Sequence, residues 1–333
     1  MNGHDALLSG LQRQVDDVLR KLLASASATA MLDFPSHSNV GDSAIWLGQL
    51  ASLARVGAPA PRYTCDFRTY DRLTLARRVG DGIILLSGGG NFGDLWESHQ
   101  LFRERVISDF PGNSIVQLSQ SIHFQSAANL ARARTVLNRH PRLTLMLRDA
   151  ASLAIAQLEF SAMSLMAPDM AFGLHPLSRR GEPVHDVVWL KRHDREDQWP
   201  SEAAVSASGR HVDWVDEHPT MLIQLHNGLA RKIAGRPRMT EVLGPLLSST
   251  YPRIARTRLE RGVRLLSDGH AVVTDRLHGH ILCMLLGISH VVLDNNHGKL
   301  SRFMDAWTGR SSLVRRAATP AAAAQAAAEL QRA

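Results

Sequence analysis

Arg276 and His278 stand two residues apart in Thr274-Asp275-Arg276-Leu277-His278-Gly279-His280. A guanidinium recognises a carboxylate or phosphate through paired hydrogen bonds, and an imidazole transfers protons near neutral pH. The pair can therefore address one anionic substrate, with the imidazole as a group that transfers protons. His278 and His280 also raise the question of a metal, but no H-E-x-x-H occurs and no third ligand falls at a diagnostic spacing. No metal is expected. A structural role is the ordinary reading of either histidine alone; His278, flanked by Arg276 and Gly279, is the one assigned to chemistry.

Further polar groups gather in short segments. They are Ser36-His37-Ser38-Asn39-Val40-Gly41-Asp42, Ser87-Gly88-Gly89-Gly90-Asn91-Phe92-Gly93-Asp94, Ser119-Gln120-Ser121, Arg148-Asp149 and, near the end, Asn295-Asn296-His297-Gly298-Lys299. Gly88, Gly90 and Gly93 satisfy G-x-G-x-x-G, the dinucleotide fingerprint. They follow a third strand, however, and the next strand ends in Ser119-Gln120-Ser121 with no acidic residue for a ribose, so neither nicotinamide nor flavin is expected. What the glycines do provide is close approach of backbone amides to an anion or sugar at a helix N-terminus.

These segments recur because of what lies between them. Leu8, Leu11, Val15, Leu19 and Leu22 repeat at helical spacing and predict an N-terminal amphipathic helix over residues 1–25. From Ala28 to Met166 short apolar runs alternate with helical stretches: strands at 28–34, 62–65, 82–86, 114–118, 143–147 and 163–166, helices at 43–56, 70–79, 95–109, 127–139 and 150–159. Strands that are apolar throughout and separated by helices predict a parallel sheet covered on both faces. In such sheets ligands bind beyond the carboxyl ends of the strands, which is where the polar segments fall. The aperiodic stretch from Gly173 to Pro183 reads as a linker. A second set follows: strands at 186–190, 210–215, 271–274 and 290–293, helices at 221–230, 252–267 and 279–286, and a polar loop at 191–202. The expectation is an α/β protein with two Rossmann-like domains, residues 26–175 and 176–316, facing across a cleft. An alanine-rich tail at 317–333 has so little apolar bulk that it is expected to be frayed or loosely docked.

Composition narrows the function. The 333 residues carry 38 Lys and Arg against 31 Asp and Glu, a formal charge of +7, with the basic residues dispersed except for doublets such as Arg77-Arg78 and Arg315-Arg316. No basic tract is interleaved with aromatics, so nucleic acid is not an expected partner. Two cysteines, Cys65 and Cys283, are too few for a disulfide framework, which suits a reducing cytoplasm. Neither a basic n-region with an apolar core nor an apolar run of spanning length occurs, so export and membrane insertion are not expected.

The set Asn39-Val40-Gly41-Asp42, Gly88 to Asp94, Arg148-Asp149, Pro168-Asp169 and Arg276-Leu277-His278-Gly279 resembles the polysaccharide pyruvyl transferase family in order across roughly residues 30–300. That resemblance implies two Rossmann-like domains of glycosyltransferase-B type and transfer of pyruvate from phosphoenolpyruvate, a co-substrate in place of any cofactor, onto a sugar of an exopolysaccharide or cell-surface glycan precursor, usually as a ketal. It further implies that Arg148 and Arg276 hold the donor's carboxylate and phosphate, with Lys299 in the place of a basic residue that some members carry, and that His278 is the acid. Gly89, Gly90, Asn91 and Ser119 are then expected around the donor and Asn39, Gly41 and Asp42 along the cleft, with Asp94 or Asp42 accepting hydroxyl protons. A lipid-linked acceptor would bring the protein to the inner face of the membrane without insertion. A nucleotide-sugar glycosyltransferase, or a scaffold in polysaccharide assembly that binds no donor, are the rival readings; donor binding separates them.

Overall fold

The computed structural model describes residues 3–192, 209–294 and 298–330, and for Lys299 the backbone only. Most of the polar loop 191–202 lies outside the described residues. The first helix, α1 (Gly3–Leu22), buries Leu8, Leu11, Val15 and Leu19 as their spacing predicts. Two parallel sheets follow. The first runs β2 (Pro61–Cys65), β1 (Thr29–Leu32), β3 (Ile83–Leu86), β5 (Ile115–His123), β6 (Leu143–Leu147), β7 (Met163–Met166), with β4 (Gly89–Gly93) pairing with β5. Its helices are α2 (Val40–Arg55), α3 (Arg72–Val79), α4 (Glu97–Asp109), α5 (Ala127–Leu137) and α6 (Ala150–Glu159). The second sheet runs β12 (Val314–Ala317), β11 (His290–Leu293), β10 (Gly269–Thr274), β8 (His185–Leu190), β9 (Arg210–Val212). With it come α7 (Met221–Ile233), α8 (Pro237–Ser267), α9 (Leu277–Leu286), α10 (Lys299–Phe303) and α11 (Pro320–Leu330). Strands β1, β3, β6 and β11 are buried along their whole length, the mark of sheets covered on both faces.

Several elements differ from the expectation, each for a physical reason. The glycine segment is not a loop opening a helix: Gly89–Gly93 is a strand, and α4 starts only at Glu97. Glycine is required there because Gly93 has φ +129° and a Cβ on it would lie 1.7 Å from the carbonyl oxygen of His123 on β5. Ser119-Gln120-Ser121 belongs to β5 itself, which runs on to pair with β4. Helix α8 begins at Pro237, not at residue 252, and carries Pro245 and Pro252 in its interior. Burial of Leu247, Tyr251, Ile254, Ala255 and Leu259 outweighs the helix-breaking tendency of proline, about 3 kcal/mol per residue. The doublet Arg315-Arg316 lies in the edge strand β12, where charge is tolerated.

The alanine-rich tail is the clearest correction. Residues 320–330 form a helix packed on the second sheet, with Ala323 and Ala327 fully buried against Val187, Trp189, Val273, Val291 and Leu293. Small side chains let the helix axis come close to the strands, so the apolar surface being covered is the sheet's own, and bulk in the tail was not needed.

His280 of α9 and His290 of β11 are both fully buried and joined, Nδ1 of the first to Nε2 of the second at 2.7 Å, while His280 Nε2 meets Thr308 Oγ1 at 2.8 Å. Burial pushes the His290 imidazole down to about 4 and that of His280 well below its ordinary value, the latter with help from His290 and Arg316. The folded pKa lies below the unfolded one, so the unfolded chain takes up the extra protons. Stability from His290 is complete above about pH 6.5 and is lost as pH falls towards about 4, and His280 acts in the same direction. Urea unfolding at descending pH should show a loss of roughly 3 kcal/mol attributable to His290 across that window. His290→Gln, already less stable at neutral pH, should show a flatter slope over the same window; equal slopes in the two proteins would remove His290 as the cause.

Candidate active site

Asp169, just after β7, is fully buried and caps the turn Met170–Leu174 by accepting the Ala171 amide at 2.8 Å. Its Oδ2 accepts a hydrogen bond from Arg148 Nη1 at 2.5 Å and lies 3.4 Å from His278 Nε2. Burial acts to raise its pKa, but His278, by charge and hydrogen bond, with Arg148 and the Ala171 amide, outweighs it and holds the carboxyl well below the usual carboxylate range. An ionised carboxylate thus joins the end of the first sheet to His278 of the second.

Each partner is held in turn. Arg148 Nε donates to Ser121 Oγ at 2.9 Å, Ser121 Oγ donates to Asp149 Oδ2 at 2.7 Å, and the Arg148 carbonyl accepts the Trp307 indole N–H at 2.8 Å. His278 is the second residue of α9, whose entry is set by the Arg276 amide donating to Thr274 Oγ1 at 3.1 Å. Its ring lies over Gly41, in the first turn of α2, so closely that a Cβ there would stand 2.5 Å from ring atoms Cγ and Nδ1. A Cβ on Gly90 would come within 3.1 Å of Arg148 Nη2. Glycines from the start of α2 and from β4 therefore make room for the histidine and the arginine.

A second polar group adjoins the first through Asn91. Asp33, directly after β1, has φ +69°, the one non-glycine residue in that region among the described residues, and such strain concentrates at functional sites. Its Oδ1 lies 2.8 Å from His99 Nδ1 and its Oδ2 accepts from Asn91 Nδ2 at 3.3 Å. Asn91 Oδ1 in turn accepts from Gln120 Nε2 at 2.7 Å and from Arg103 Nη2 at 2.8 Å. Burial tends to lower the His99 pKa, but the hydrogen bond and charge of Asp33 prevail and raise it. Asp42 sits 3.6 Å from His37 Nε2 and close to Gly89.

The structure therefore brings together Gly41, Gly90, Arg148 and His278, with Gly89, Asn91 and Asp42 alongside. It disposes of other expected residues differently. Arg276, buried, donates from Nη2 to both oxygens of Asp213 at 2.7 and 2.8 Å, beside the Trp214 ring. The carboxylate of Asp94 is tied to backbone: it accepts the amides of Gln125 at 2.9 Å and Ser126 at 2.7 Å, fixing the segment that leads into α5. Asn39 caps α2 through the Gly41 amide at 3.0 Å, and Ser119 is fully buried inside β5. The side chain of Lys299 lies outside the described residues. Asp169, Asp33, His99 and Asp213 were assigned no role from sequence. Asp33 stands at a strand end, the signal that could have found it; no comparable pattern marks His99. Among the described residues no group of three or more His, Cys, Asp or Glu is placed to hold a metal ion.

Residues 39–297 match the family profile described as polysaccharide pyruvyl transferase. The chain is 30% identical over 297 residues to EpsO of Bacillus subtilis, which carries a provisional pyruvyl transferase name; the match covers 87% of this chain and 88% of that one. It is 29% identical over 304 residues to Pyruvyl transferase 1 of Schizosaccharomyces pombe, covering 85% of this chain and 70% of that one. A crystal structure of a functionally uncharacterised protein from Klebsiella pneumoniae shares the fold, with a TM-score of 0.57 at 18% identity over 93% of this chain and 99% of that one.

Gly41→Ala tests the geometry directly. The added methyl group displaces the His278 ring, and a misplacement of about 1 Å at a reacting group typically costs about 100-fold in turnover. The variant should fold, with an unchanged circular dichroism spectrum, and lose activity to that degree; wild-type turnover would show that the ring position over Gly41 is irrelevant.

Proposed function

The chain belongs to the polysaccharide pyruvyl transferase family, and from that premise we propose that it moves pyruvate from phosphoenolpyruvate onto a sugar of an exopolysaccharide or surface-glycan precursor, closing a ketal across two hydroxyls. The observation that carries this reading is the buried, ionised Asp169 shared between Arg148 and His278. It sets a negative charge between the imidazole and a guanidinium that lies against Gly90 of the glycine strand.

In this mechanism His278 protonates the methylene carbon of phosphoenolpyruvate, leaving an oxocarbenium-like centre at the adjacent carbon. A sugar hydroxyl adds there and gives up its proton. The bond to phosphate then breaks, phosphate departs with the electron pair, and a second hydroxyl closes the ketal and releases a second proton. One of the two released protons restores His278 and the other leaves with phosphate or solvent. Arg148 holds the donor's anionic groups, together with Arg276 once Asp213 shares it, and Lys299 adds charge from the start of α10. Asp94 is replaced in the role of proton acceptor by His99, which Asp33 orients, or by Asp42. The reading uses no cofactor and no metal. Residues 26–175 and 176–316 are taken as the two lobes, each presenting the carboxyl edge of its sheet to the substrates.

The test is incubation with phosphoenolpyruvate and a panel of glycan acceptors, following phosphate release and the mass gained by the acceptor. Loss of a general acid lowers turnover by about 100- to 10,000-fold while sparing affinity. His278→Gln should therefore bind phosphoenolpyruvate as the wild type does, by calorimetry, and fail in transfer. Wild-type transfer by folded His278→Gln at saturating substrates would refute the assigned acid. Stabilisation of the protein by nucleoside diphosphates and not by phosphoenolpyruvate would refute the donor.

A further inference from the structure

Helices α7 and α8 form an antiparallel hairpin whose inner face is core and whose outer face is apolar as well. Ile223, Ala230, Ile233, Leu247 and Tyr251 point inward and are buried. On the outside, Met221 and Leu225 are 76% and 62% exposed, and Val242 and Leu246 are 74% and 59% exposed. Single exposed apolar residues need no explanation, but these are two pairs at helical i, i+4 spacing on neighbouring helices. The hydrogen bonds from Thr240 Oγ1 to the Ile233 carbonyl at 3.2 Å and between His226 Nδ1 and Thr250 Oγ1 at 2.7 Å set the register. They bring Leu225 to within about one turn of Leu246.

Charge on the same hairpin is mostly positive. Between residues 221 and 256 stand Arg231, Lys232, Arg236, Arg238, Arg253 and Arg256, all exposed, against the single acid Glu241, which pairs with Arg77 of α3 at 2.9 Å. Six basic residues against one acid is a surplus of five in a chain whose whole formal charge is +7. Along α8, Arg238 and Arg253 bracket Val242 and Leu246. An apolar stripe flanked by arginine and lysine fits the boundary of an anionic bilayer, where the side chains enter the acyl region and the cations meet lipid phosphate.

We propose that the outer face of the α7–α8 hairpin docks the protein on an anionic phospholipid surface. No helix among the described residues is long and apolar enough to cross a membrane, so the contact is peripheral. The hairpin is also tied to the candidate site. Tyr251 stacks on Phe34 with ring centroids 4.1 Å apart, Arg258 Nη1 donates to the Pro35 carbonyl at 3.1 Å, and Arg261 Nη2 donates to the Ser38 carbonyl at 2.8 Å. Docking would hold the segment leading into Gly41 near the bilayer, where a lipid-linked glycan is presented; this purpose, though not the docking itself, rests on the proposed pyruvyl transfer.

Flotation of the full chain with vesicles of phosphatidylcholine, with and without phosphatidylglycerol, tests the proposal. The protein should partition to the anionic vesicles only, and salt should release it. Arg238→Gln with Arg253→Gln, and separately Leu225→Ser with Leu246→Ser, should each weaken partitioning by roughly tenfold or more at an unchanged melting temperature. Equal binding of wild type and both double variants, or equal binding to neutral vesicles, would overturn it. So would conversion of a dimer to a monomer by Leu225→Ser with Leu246→Ser without effect on vesicles, which would give the face to a second copy. Both double variants should keep wild-type turnover on a short, soluble acceptor. A wild-type protein that floats with anionic vesicles yet transfers no pyruvate would defeat the proposed function and leave the docking surface standing.

Discussion

The carboxylate of Asp169 is the interaction on which the site depends. Placing it in a dry interior costs several kcal/mol in lost hydration, and only close, well-directed partners offset that cost. The Ala171 amide, Arg148 and His278 are those partners, and they come from three different elements. A buried carboxylate deprived of one of them would be left uncompensated, so the first sheet's strand ends and the start of α9 are bound to one relative position. The charges are in place before any substrate arrives, which is the condition under which electrostatic catalysis needs little reorganisation.

Around that group, small residues decide what can approach. Gly41 admits the His278 ring and Gly90 admits the Arg148 guanidinium, while Gly93 admits the His123 carbonyl and lets β4 pair with β5. On the other flank, Gly262 of α8 leaves room for Val40 at the start of α2, since a Cβ there would fall 2.3 Å from Val40 Cγ1. The long helix of the second sheet is thereby pressed against the helix whose first turn carries Gly41. Glu217 pairs with both Arg258 and Arg261 at 3.0 Å, and these two arginines hold the carbonyls of Pro35 and Ser38. The segment between β1 and α2 is held from both sheets, which fits a site assembled at their meeting and not on either one alone.

Much of this was legible in the chain because it depends on local pattern. The short apolar runs at Leu143–Leu147 and His290–Leu293 read as buried strands, their alternation with helical stretches pointed to parallel sheets, and the strand-end rule pointed to Gly41, Gly90, Arg148 and His278. Resemblance to a known family then gave those residues a common purpose. Where local pattern misled, a distant partner was the cause. The tail from Pro320 packs because Val273 and Val291 lie beneath it, and α8 crosses two prolines because its inner face is core.

Residue types and their order thus determined the α/β class, the edge of the sheet that carries polar groups and the imidazole and guanidinium groups available there. Tertiary structure alone decided which of those groups meet. Arg148 and Arg276 are equally arginine in the sequence, yet one is turned to Asp169 beside His278 and the other to Asp213. Asp94 and Asp169 are equally aspartate, but one accepts exposed backbone amides and the other is buried between charges. A side chain's role follows from its partners and its hydration, and both are set by residues of other elements, as Asp169 is by Arg148 and His278.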